Sequence, residues 1–136
     1  MTDKILYTAK VHTTGGREGG ASWSDDGHLD IEHSLPSTGI GTNPEQLFAA
    51  GWSVCFEGAM GLAAKKMKVP MPPTYAIHAE VDLNLGDSGY FLRARLNVGL
   101  PGVERAIAQA SIDAVHETCP YSKATRGNIE ITINLV

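Results

Sequence analysis

The segment Pro44–Lys66 is almost uncharged, and it constrains the fold more than any other stretch of the chain. Between Leu47 and Ala64 the only polar side-chain groups are those of Ser53, Glu57 and the Trp52 indole nitrogen. Asn43 stands in capping position, Pro44 suits the first helical residue and Gln46 falls in capping-box spacing, while Pro70 bars continuation, so the segment reads as one helix. A helix apolar nearly all round has to be covered on every side. With 136 residues the chain reads as a single domain over 1–136, in which one sheet and one further helix cover only part of that surface. The expectation is therefore an obligate homodimer with this helix near its centre. The alternative is that glycine and alanine let neighbours from the same chain enclose it. A membrane span is not expected, because the apolar run barely reaches the needed length, carries Glu57 centrally and includes Gly51, Gly58 and Gly61.

Alternation of apolar and polar residues marks the strands. Ile5, Tyr7, Ala9 and Val11 predict a first strand ending at the loop Gly15-Gly16-Arg17-Glu18-Gly19-Gly20. Short strands follow at Ala21–Ser24 and His28–Ser34, around the turn Asp25-Asp26-Gly27. Tyr75–Leu85 and Leu92–Val98 form a hairpin across Gly86-Asp87-Ser88-Gly89, with Glu80 and Asp82 able to pair with Arg93 and Arg95. Pro101-Gly102 introduces a second helix over Val103–Thr118, and Ile129–Leu135 is the last strand. The order βββ-α-ββ-α-β, joined mostly by hairpins, predicts an α+β fold.

The net charge of −4 gives no reason to expect nucleic acid, since phosphate binding needs clustered Lys and Arg. The one basic cluster, Lys65-Lys66-Met67-Lys68, falls at a helix C-terminus, where cations favour the dipole. No apolar leader opens the chain, so the expected location is cytoplasmic. In that compartment any disulfide is transient and functional.

Both cysteines lie on helices. Phe48, Gly51, Cys55, Ala59 and Leu62 share one stripe, and Ala108, Ile112, Val115 and Cys119 share another. If the two helices run antiparallel with these stripes facing, the sulfurs meet. A buried cysteine in a helix is most often only a small hydrophobe. The convergence of the stripes, the stop imposed on Cys119 by Pro120 and an arginine on a loop with four glycines argue for thiol chemistry instead. Cys119 stands at a helix C-terminus, which disfavours negative charge. Cys55 beside the guanidinium of Arg17 is the better attacking thiolate, leaving Cys119 to resolve the oxidised product. Glu45 can orient Arg17 through a bidentate pair, or simply favour a helix N-terminus. Ten residues of helix separate Glu45 from Cys55 by about 15 Å, so the partner subunit is one possible source of the pair. His116, three residues before Cys119, has ligand or base spacing, but no third ligand or orienting group accompanies it, so neither a metal nor a Cys–His hydrolase is expected.

With these residues in place, the chain resembles the organic hydroperoxide resistance subfamily of OsmC-like proteins over nearly its full length. The landmarks are Thr14–Gly19, Gly41–Gly51, Cys55-Phe56, Cys119–Ser122 and Ala124–Asn128. The resemblance implies an OsmC-like fold with two antiparallel-sheet layers around central helices, in an intertwined homodimer with sites at the subunit interface. It implies a peroxidase for alkyl and lipid hydroperoxides, with Cys55 peroxidatic, Cys119 resolving, and Arg17 and Glu45 the activating pair. No bound cofactor is implied; the implied reductant is dihydrolipoamide on a lipoylated protein. The loop Leu35–Ile40 is shorter than is typical of the family, which bears on substrate preference. Phe48 is either a substrate contact favouring bulky peroxides or a plain core residue. The competing readings are an apolar-ligand binding module with inert thiols and an OsmC-type peroxidase of broader preference.

Overall fold

The computed structural model describes residues 3–136 and is α+β. The chain divides into two compact units, Met1–Pro44 and Glu45–Val136.

The first unit is a three-stranded antiparallel sheet of β1 (Val11–Thr14), β2 (Ala21–Ser24) and β3 (Asp30–Glu32). The expected strand from Ile5 to Val11 is instead displaced towards the C-terminus. Val11 opposes Ser24, and the next contact towards the N-terminus is the Asp25 N–H to the Lys10 carbonyl, where the turn carries β2's chain away. Residues 3–10 therefore meet no partner strand within this sheet, and Ile5, Leu6 and Tyr7 stay exposed. Alternation measures the capacity to pair; an available edge decides whether pairing happens. β2 falls as expected, and β3 is shorter than His28–Ser34. The four glycines of the β1–β2 loop answer to backbone geometry. Gly15, Gly16 and Gly19 have φ of 81°, 73° and 85°, and a side chain at Gly20 would strike the Thr14 and Gly16 carbonyls. Their number thus says nothing about Arg17.

The second unit holds α1 (Pro44–Met67), β4 (Ala76–Gly86), β5 (Gly89–Gly99), α2 (Arg105–Thr118), α3 (Pro120–Thr125) and β6 (Glu130–Leu135). α1 begins at the expected proline. It ends with Lys68 in the left-handed region, φ 56°, its N–H on Lys65 O and the N–H of Val69 on Ala64 O. These two bonds satisfy carbonyls that the helix end leaves open. α1 is long and apolar enough to cross a membrane by length and composition, a test that the core helix of a soluble protein also passes.

β4 and β5 form the expected hairpin, in register from Ala76↔Gly99 to Gly86↔Gly89. Arg95 binds Asp82 at 2.8 Å and Glu80 at 3.4 Å across it, whereas Arg93 turns to Glu130 of β6 at 2.7 Å. Within the α+β class one pairing differs from expectation: β6 lies parallel to β5, Arg93↔Glu130 to Val98↔Leu135. The chain leaves β5, passes through both helices and returns in the same direction, a crossover that a parallel neighbour requires. β6 flanks only Arg93–Val98, so the hairpin tip gains no third strand. Leu83, Leu85, Tyr90 and Phe91 remain exposed there, although alternation places Leu83 and Leu85 on the core face.

The core joins Ala94, Leu96 and Val98 of β5 to Trp52, Phe56 and Met60 of α1 and Ala108, Ile112 and Val115 of α2. α2 starts two residues later than expected because Glu104 caps it, accepting from the Ala106 and Ile107 N–H groups. The short helix α3 was not expected. Pro120 does stop α2, but a proline at a first helical position also starts a helix.

Candidate functional site

Cys55 and Cys119 meet. Their sulfurs are 3.4 Å apart in a shared hydrogen bond, and both thiols are free. The helices that carry them run in opposite senses, because further along α1 Met67 meets Ser111, which lies earlier on α2 (Oγ–Sδ 3.6 Å). This is the antiparallel arrangement expected from the two stripes. The face of α1 that is fully buried is, however, Trp52, Phe56, Met60 and Ala64. The stripe with Cys55 flanks it and is only partly covered.

That offset makes the two sulfurs unequal. Cys119 is wholly buried, with 0% exposure, whereas Cys55 is partly open. Cys55 borders a groove of about 640 Å³ whose walls are Ala59, Leu62 and Ala63 of α1 and Ala114 and Thr118 of α2. The walls are overwhelmingly apolar, with Lys65 and Lys66 among the lining residues. A molecule entering the groove reaches Cys55 and finds Cys119 behind it.

The pair is set by the joint between α2 and α3. Cys119 ends the first helix and caps the second, with φ −61° and ψ 124°. A residue before proline is driven into this extended region, so Pro120 dictates the bend at the thiol. Below the joint, Trp52 Nε1–H donates to the buried Ser122 Oγ at 3.3 Å. Phe48 packs edge-on against Trp52 and Tyr121, with centroids 5.6 and 6.2 Å away. Gly51 makes room for this cluster, since a methyl there would come within 2.9 Å of Tyr121 Oη.

Burial pushes the Cys55 thiol above its ordinary value. The backbone N–H of Tyr121 opposes this by hydrogen-bonding the sulfur, and Cys119 adds to the upward push. These influences together favour the neutral thiol, so a reactive thiolate at neutral pH needs a further positive charge.

Of the expected site residues, the structure brings Cys55 and Cys119 together and places Phe48 in the aromatic cluster beside them. Glu45 lies in the first turn of α1 in the second unit, and Arg17 in the β1–β2 turn of the first. Sequence reasoning gave Tyr121 and Ser122 only as part of the Cys119–Ser122 landmark, without their packing under the thiols, and missed the α2 wall of the groove. The sequence signal for the first two was Pro120 itself, a helix start placed directly after the thiol. Among the described residues no group of three or more His, Cys, Asp or Glu side chains gathers at metal-binding distance.

An α+β fold with a buried-and-open thiol pair at a helix joint defines a dithiol protein, and comparison with known proteins gives its kinship. The model of the family described as OsmC-like protein matches residues 37–134. An organic hydroperoxide resistance protein of Xanthomonas axonopodis pv. citri (strain 306) is 44% identical, over 98% of this chain and 96% of its own. The organic hydroperoxide resistance protein OhrB of Bacillus subtilis (strain 168) is 40% identical, over 96% and 98%. The crystal structure of OhrB superposes with a TM-score of 0.90, covering 97% of this chain and all of its own. The chain belongs to the OsmC-like family, within its organic hydroperoxide resistance subfamily.

Proposed function

We propose that this protein confers organic hydroperoxide resistance as a thiol peroxidase, reducing alkyl and lipid hydroperoxides to alcohols. The names of its relatives support the resistance role. One observation carries the chemistry: a partly open thiol on an apolar groove, 3.4 Å from a second thiol that is fully buried.

The Cys55 thiolate attacks the hydroperoxide oxygen distal to the organic group. The O–O bond breaks, the alkoxide takes a proton and leaves as alcohol, and Cys55 becomes a sulfenic acid. Cys119 then attacks the Cys55 sulfur. An S–S bond forms, the S–O bond breaks, and hydroxide leaves with the Cys119 proton as water. The sulfurs close from 3.4 Å to the roughly 2.05 Å of a disulfide. A dithiol, which we take to be dihydrolipoamide on a lipoylated protein, restores both thiols through a mixed disulfide and is itself oxidised. The groove walls favour organic peroxides over hydrogen peroxide, and Phe48, packed against Trp52 and Tyr121, is the residue we propose as a further substrate contact.

Within this reading Arg17 supplies the charge that Cys55 needs, and Glu45 orients it. The working unit is a homodimer in the cytoplasm. Supporting the homodimer, Val54 of α1 is 69% exposed in a single chain, and Ile5, Leu6 and Tyr7 are exposed as well. A second copy, rather than lipid, covers these residues.

One equivalent of cumene hydroperoxide, added without reductant, is expected to remove both thiols together without crosslinking chains. Titration with a thiol reagent and non-reducing electrophoresis read the result. Thiols that remain unchanged would point instead to a binding module for an apolar ligand. The charge argument has its own check, the pH dependence of Cys55 alkylation. Removing a cation that favours the thiolate raises the thiol's midpoint, so Arg17→Ala should move the profile to higher pH by about one unit or more. A superimposable profile would remove Arg17 from the mechanism.

A further inference from the structure

The carbonyl of His116 lies in the last turn of α2. In a continuing helix its donor is the N–H four residues on. That residue is Pro120, which has no N–H to give. The bond is made from elsewhere: Arg126 Nη1 donates to the His116 carbonyl at 2.7 Å. The same guanidinium lies 3.9 Å from the Glu117 carboxylate, and the Arg126 backbone N–H closes α3 on Ser122 O at 2.8 Å. One residue thus ties the end of α3 to the end of α2, and Cys119 is the joint between them.

We propose that Arg126 is a positioning residue for the resolving thiol, its guanidinium replacing the donor that Pro120 lacks and fixing the bend at which Cys119 Sγ faces Cys55. The inference rests on the proposed disulfide step. Arg126 touches neither peroxide nor sulfur, and it acts only on the second step, in which Cys119 displaces hydroxide from the oxidised Cys55. With the His116 carbonyl unpaired, the bend has one restraint fewer and Cys119 spends less time in line with its target. A plain stabilising role for Arg126 predicts something else, a loss of stability that affects both steps alike.

The two steps can be timed separately in wild type, Arg126→Gln and Arg126→Lys with one equivalent of cumene hydroperoxide. Peroxide consumption reports the attack by Cys55. Disulfide appearance, followed by quenched mass spectrometry with dimedone trapping of the sulfenic acid, reports the second step. In Arg126→Gln, consumption should stay within about twofold of wild type while disulfide formation slows about tenfold, equivalent to roughly 1.4 kcal/mol and in the range of a charged hydrogen bond. Arg126→Lys keeps the charge but loses the planar fork, and should recover part of the rate, leaving a slowing of about threefold. Disulfide formation at the wild-type rate in Arg126→Gln, or equal slowing of both steps alongside a lower melting temperature, overturns the assignment. If Arg126→Gln does not fold, Arg126→Lys decides: a slowed second step with an intact first supports the role, and two wild-type rates reject it. A wild-type protein that forms no disulfide at all rejects the peroxidase reading itself, a separate result.

Discussion

Cys55→Ser is expected to abolish hydroperoxide reduction, lowering turnover on the order of a thousandfold or more, equivalent to about 4 kcal/mol of lost barrier reduction. A serine hydroxyl in the same place is neither ionised nor polarisable enough to break an O–O bond, whereas a thiolate is both. The substitution removes one sulfur from the edge of the groove and leaves the buried stripe Trp52, Phe56, Met60 and Ala64 untouched, so the fold should persist. Consumption of cumene hydroperoxide with a dithiol reductant, alongside circular dichroism, measures both. Full consumption by a folded Cys55→Ser protein would show that the attacking group lies elsewhere.

The second large effect separates the two thiols by kinetics. Cys119→Ser should reduce one equivalent of peroxide per chain rapidly and then slow sharply, because Cys55 becomes a sulfenic acid with no neighbouring thiol to condense with and can consume more peroxide only by over-oxidation. Excess peroxide without reductant then drives Cys55 up the oxidation ladder to the sulfinic acid, seen as successive added oxygens in the intact mass. The expected asymmetry rests on exposure: the partly open sulfur is the one a peroxide can reach, and the 0% exposed one reaches only its neighbour. Continued multiple turnovers in Cys119→Ser without added thiol would contradict it.

Much of this site is legible in the sequence, because helical periodicity fixes which residues share a face. The stripe Ala108, Ile112, Val115 and Cys119 is buried as its spacing requires, and the convergence with Cys55 follows once the helices run antiparallel. The β4–β5 hairpin was equally plain, since its two strands alternate around an Asp-Ser turn and are adjacent in sequence. Features that depend on distant partners were not readable. Nothing in Ile5–Lys10 reveals that β2 turns away before it can pair with them. Ile129–Leu135 alternates in the same way whether its neighbour runs parallel or antiparallel, so the direction of β6 depends on the route through α2 and α3. α1 defeated the simple stripe argument for a related reason: when nearly every position is apolar, periodicity cannot rank one face above another, and the core took Trp52 and Phe56 rather than the Cys55 flank.

In the proposed cycle, the 3.4 Å separation of the sulfurs in the reduced state also bears on what can restore the two thiols. A tethered thiol held this close has a very large effective concentration towards its partner. When a monothiol opens the disulfide, the freed internal sulfur recaptures its mate faster than a second external molecule arrives, and the monothiol is expelled. A reductant with two vicinal thiols escapes this competition, because its own ring closure is just as local.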